Sequence, residues 1–137
     1  MTSEHKSKRS ERSRGAAVVE FALVLPLLMM VVFGAIQFGT LFNRQQGLHA
    51  AAREGARLAA LPSSTQAEIT TATTNALDGV ALAGTPTITI TPNVSQPCDN
   101  RPGETVTVEI TVPTSLEIPM YGTVSKTLKG RGEFRCE

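Results

Sequence analysis

At 137 residues and a formal net charge of +1, the chain has room for one membrane segment and at most one small domain. The charge is uneven: residues 1–15 carry five Lys/Arg against Glu4 and Glu11, while the remainder carries eight against ten acids, a net of −2. No basic patch is left on the folded part, which excludes a nucleic-acid footprint. With no Trp, and four of the five Phe before residue 43, any globular core must be built from Val, Ile, Leu and Ala.

Residues 1–14 are polar and without apolar periodicity, so they read as an irregular basic leader ending at Gly15. From Phe21 to Phe42 there is no charge at all. As a helix that run spans roughly 33 Å at about 1.5 Å per residue, enough to cross a bilayer core of about 30 Å. It is longer than the apolar region of a secretory signal, about 7–15 residues, so conventional cleavage near Ala50-Ala51-Ala52 is not expected. The basic leader puts the N-terminus in the cytoplasm and everything after Phe42 outside. Pro26 removes one backbone hydrogen bond and should kink or loosen the helix. Gly34 and Gly39 give its outer half a small-residue surface.

The helix is expected to continue out of the membrane, making residues 16–61 one element closed by Pro62. Ala51, Gly55 and Ala59 are four apart and share a face of small side chains, opposite His49, Arg53 and Arg57. That face suits either a neighbouring subunit or the protein's own head. Residues 62–137 form the exported head. Thr65-Gln66-Ala67-Glu68 has capping-box spacing and opens a second helix with Ile69, Ala72, Ala76, Leu77 and Val80 on one side. Asp78-Gly79 stops it. Period two then takes over: Thr87 to Thr91 with Ile88 and Ile90 inward, and Thr105 to Val112 with Val106, Val108, Ile110 and Val112 inward. A loop containing Pro113 and Pro119 follows, then an extended stretch from Val124 to Cys136 in which Leu128, Phe134 and Cys136 share parity. Gly130 and Gly132 suggest a bulge there.

The fold class is α+β: a long transmembrane helix extending into a small head that holds a second helix and a mainly antiparallel three-stranded sheet. Cys98 and Cys136 both fall on the exported side, where a disulfide is favoured over two free thiols or a metal pair. No catalytic constellation is found, and no cofactor, metal or small-molecule substrate is expected. His5 lies in the leader and His49 among alanines, and Asn93-Val94-Ser95 is a sequon of a kind common by chance.

Glu20 is the odd residue, a carboxylate at the lip of the apolar run, and is either a headgroup-level residue or a functional one. Basic leader, Gly15, four small or apolar residues, Glu20-Phe21 and a long apolar helix together resemble the cleavage site of type IV prepilins. The resemblance implies that a prepilin peptidase cuts between Gly15 and Ala16, with Glu20 and Phe21 completing the processing site. It also implies that Glu20 meets the N-terminal amine of a neighbouring subunit, a pairing that would make a carboxylate tolerable in a buried place. The string RGAAVVEFALVLPLLMMVVFGAIQFG followed by AAREGAR is further similar to the TadE-like family of the Tad/Flp pilus system, over roughly residues 14–60. Family resemblance implies an inner-membrane pseudopilin or minor pilin whose partners are the peptidase, other pilins and pilus assembly proteins. Phe21 stands where Tad-type motifs often have Tyr. Some TadE-like proteins lack a processing site, which leaves an unprocessed membrane anchor with a partner-binding head as the alternative.

Overall fold

A computed structural model of the chain describes residues 5–118 and 122–137, with side chains from residue 15 onward. The basic side chains of the leader, Pro119 and residues 1–4 lie outside the described set. Two compact units result, one ending at Phe38 and one running from Gly39 to Glu137.

Helix α1 (His5–Ala59) passes unbroken through Pro26. Residues 5–14 are thus helical, where the polar composition suggested irregular chain. The first unit consists of this helix, and its described side chains are exposed almost without exception.

In the second unit the last turns of α1 enter the head, which holds α2 (Gln66–Ala76) and strands β1 (Thr87–Thr91), β2 (Thr105–Ile118) and β3 (Gly122–Arg135). The sheet is antiparallel with order β1-β2-β3. Its buried face carries Ile90, Val106, Val108, Ile110, Val112 and Leu128, as period-two placement requires. Against it pack Leu48, Ala51, Ala52, Ala56, Ala59 and Ala60 of α1 and the following turn, with Ile69 and Leu77 from α2 and its C-cap. Among the described residues no buried aromatic contributes, so helix and sheet must approach closely to exclude water.

Helix α2 starts as its capping box requires. The Glu68 N–H donates to Thr65 Oγ1 at 3.3 Å, and the Thr65 N–H donates to the Glu68 carboxylate at 2.9 Å. The hydroxyls of Thr70, Thr71, Thr73 and Thr74 donate to carbonyls four residues back, which absorbs the polar groups of a run with poor helix propensity. Gly79, at φ +89, turns the chain beyond the helix end. Thr65→Ala should cost about 1 kcal/mol, read as a lower urea midpoint of the head. The Thr65 backbone N–H, and then its hydroxyl, hold the Glu68 carboxyl below its ordinary pKa. A lowered folded pKa means that this contribution is complete above the ordinary glutamate value and is lost as pH falls through the folded one. The stability of Glu68→Gln should accordingly vary less than wild type with pH in that acid range.

Three expectations are corrected. Pro113 lies inside β2, opposite Thr127, instead of ending it. Strand β1 begins at Thr87, opposite Thr111, so from Val112 onward that side of β2 has no paired strand and a residue without an N–H is tolerated. Gly130 and Gly132 form no bulge; they keep continuous register with Ile110 and Val108. Phe134 shares the parity of Leu128 but is 40% exposed, because α1 is seated on the glycines and leaves the ring at the margin.

Candidate functional site

The residues singled out by sequence fall into two groups. Gly15, Ala16, Glu20 and Phe21 lie on the first unit, on the surface of α1. A Cβ at Gly15 would meet nothing within 4 Å, and Phe21 is 62% exposed. Ala16 and Glu20 are four apart in a continuous helix and so share a face. Beyond them Leu23, Leu27, Val31, Ile36 and Phe38 are all more than half exposed. A soluble protein buries a helix of this composition in its core; here none of the apolar window is covered. The stretch is long and apolar enough to cross a membrane.

Ala51, Gly55 and Ala59 are in the second unit and are all buried. The sequence left open whether their face met another subunit or the protein's own head; the head covers it. A Cβ on Gly55 would collide with the Thr73 hydroxyl, and one on Gly47 would come within 2.8 Å of Val80, so α2 and the turn after it lie against α1 there. Arg53, Glu54 and Arg57 point outward, with Arg57 and Glu54 paired at 2.6 Å. That pair is exposed and solvent-screened, so it adds little to stability. The Ala-Ala-Arg-Glu-Gly-Ala-Arg run is therefore a folding element: small residues inward, charges outward.

Sequence reasoning missed the seam between α1 and β3. The third strand is an edge strand, whose outward N–H and C=O groups invite foreign pairing. Side chains of α1 occupy some of them. Gln45 Nε2 donates to the Lys129 carbonyl, and the His49 ring sits with Nδ1 3.3 Å from the Arg131 N–H. Gln45 Nε2 also lies 3.2 Å from His49 Nε2. His49 was assigned to the polar ridge with Arg53 and Arg57; it is half-buried against the sheet edge instead. The one available signal was the i, i+4 spacing of Gln45 and His49, which shows a shared face but names no strand.

Cys98 and Cys136 are bonded, with Cα atoms 5.3 Å apart, and both are buried. Around them the Gly103 N–H donates to the Cys136 carbonyl at 2.9 Å and the Cys136 N–H to the Glu104 carbonyl at 2.8 Å. This fastens the C-terminus to the loop before β2. Among the described residues no group of His, Cys, Asp and Glu could hold a metal ion.

The molecule thus pairs an exposed apolar helix, with a glycine and a glutamate at its start, with a small disulfide-closed α+β head into which the same helix runs. That plan is an α+β head on a helix long and apolar enough to cross a membrane. More narrowly, residues 15–57 match the family model of TadE-like proteins, in agreement with the resemblance drawn from the sequence. The matched segment begins at Gly15 and ends at Arg57, taking in the exposed apolar run and the small-residue turns beneath the sheet. No curated protein and no solved structure matches the chain.

Proposed function

We propose that the chain is a pseudopilin or minor pilin of a Tad-type pilus: a structural assembly subunit, not an enzyme. A prepilin peptidase cuts it between Gly15 and Ala16. Before cleavage, residues 21–42 hold it in the inner membrane with the N-terminus cytoplasmic and the head exported. Afterwards the same apolar helix packs among other pilin helices. The observation that carries this reading is the bare apolar surface of α1 behind Gly15 and Glu20, within a segment that matches TadE-like proteins. An apolar helix left uncovered needs a lipid or protein environment. A permanent membrane anchor whose head binds a partner is the second reading, favoured by the unbroken helix from His5 through Gly15.

Glu20 has a defined role in the first reading. Cleavage exposes an amine at Ala16, and Glu20 of one subunit takes the amine of its neighbour as the helices leave the lipid. A carboxylate transferred into an apolar filament without that partner is strongly disfavoured. Glu20→Ala should insert in the membrane yet leave few or no pili, counted by electron microscopy in a strain lacking the wild-type copy. Normal pilus numbers with Glu20→Ala would remove the docking role.

A further inference from the structure

The outer edge of β3 is covered at two places and open between them. Gln45 and His49 meet the Lys129 carbonyl and the Arg131 N–H, and farther on the Glu137 N–H donates to the Ala60 carbonyl at 3.1 Å. Backbone groups two apart along a strand point to the same side. Those of Glu133 and Arg135 therefore face outward like the Arg131 N–H, and among the described residues no group bonds to them there. Gln45, His49 and Arg53 are four apart, a helical step of about 6 Å, while the strand advances about 6.6 Å per two residues. Arg53 thus comes level with Glu133, but its side chain is exposed and bonds to nothing in the strand. Arg57, next in the series, is turned onto Glu54.

An open groove lies beside this gap, lined by Arg53, Arg131, Gly132, Glu133 and Phe134. Its charge is one-sided. Arg53 and Arg135 are exposed and carry no ion pair, whereas Glu54 and Glu133 are taken up by Arg57 and Arg131. Phe134 has the parity of Gly132, on which α1 is seated, so its exposed ring and Arg53 lie on the same side of the sheet. Cations along a strand edge repel a second copy of the same edge and attract an acidic segment.

We propose that this gap takes an extended, acidic segment of a partner protein as a short added strand, an inference that stands on the head alone, whatever becomes of Gly15. Two residues of the segment pair with Glu133 and Arg135 through their backbone N–H and C=O groups. The residue between them lies opposite Phe134, on the α1 side, and its carboxylate meets the Arg53 guanidinium. Main-chain pairing supplies the affinity, and the acid supplies the choice of partner. Contacts from α1 at Arg131 and from Ala60 at Glu137 close the gap at both ends, so a longer strand finds no further backbone partners.

The probe is the peptide Thr-Val-Glu-Val-Thr, with fluorescein at its N-terminus and an amide at its C-terminus. It is added to the full chain in zwitterionic detergent and followed by fluorescence anisotropy. The expected result is saturable binding, weakened about tenfold or more by Gln at the peptide's centre or by Arg53→Gln, as loss of a charge-assisted hydrogen bond requires. Both changes together should cost no more than either alone. Methylating both Val nitrogens removes the donors to β3 and should abolish binding. Lys126→Gln removes an exposed cation outside the gap and should leave binding unchanged. No saturable binding overturns the proposal, as does equal binding of the acidic and Gln peptides. Binding that survives methylation means attraction to surface charge without strand pairing, and also overturns it. So does a loss with Lys126→Gln equal to that with Arg53→Gln.

Discussion

Gly132→Val should cost the head about 3 kcal/mol or more, at or above the upper end of ordinary overpacking. The reason is which atoms it would strike. A Cβ at Gly132 runs into the backbone of Ala52 and Arg53, and one at Gly130 into that of Leu48. Neither wall is a side chain that can rotate away. The third strand is locked in register with β2, and α1 is held at the same place by Ala51, Ala52 and Ala56 on the sheet. Withdrawing the helix would open the seam and expose the apolar face of β2 to water. Pulse proteolysis across a urea series, with the full chain in detergent, should show the head of Gly132→Val or Gly130→Val cleaved at far lower urea. Gly34→Ala is the control: nothing lies within 4 Å of its added Cβ, and the head's midpoint should not move. An unchanged midpoint for Gly132→Val would mean that α1 is not seated on β3.

Loss of the disulfide should have an effect of similar size. The bond joins residues 38 apart, and closing a loop of that length removes unfolded-state entropy equivalent to about 4 kcal/mol in the chain-entropy model. Small domains have only about 5–15 kcal/mol in total, so a head with an Ala- and Val-rich core depends on this link. The double variant Cys98→Ala, Cys136→Ala should lower the urea midpoint sharply, and a reductant should lower that of the wild type to the same degree. A midpoint indifferent to both would show that the bond contributes nothing to folding.

The parts of this architecture that follow from short-range chemistry could be read in the sequence. The capping box at Thr65 and Glu68, the period-two strands around Ile90 and Val108, and the uncharged run after Glu20 each depend on residues close in the chain. The α+β class followed from them. What depended on meetings between distant segments could not be read. Gly130 and Gly132 are a bulge signal by local rules, and only the arrival of Leu48 and Ala52 explains them as a seat for a helix backbone. Phe134 has the parity of a core residue, yet the helix sits on its glycine neighbours. Pro113 ends a strand in most settings, but not where the adjacent strand has already stopped. At the candidate site, Gly15 and Glu20 could be found from the order of basic, small, acidic and apolar residues. The small-residue face at Gly55 could also be seen, although its partner, the protein's own α2 and sheet, could not.

Processing at Gly15 is the point on which the assembly role turns. The most direct measurement is intact-mass and N-terminal sequencing of the membrane-extracted protein from cells with and without the prepilin peptidase. The expected result is a chain starting at Ala16 when the peptidase is present and retaining the leader when it is absent. A leader-bearing chain in both would contradict the pseudopilin route and leave a permanent anchor, whose function would then lie in what its head binds.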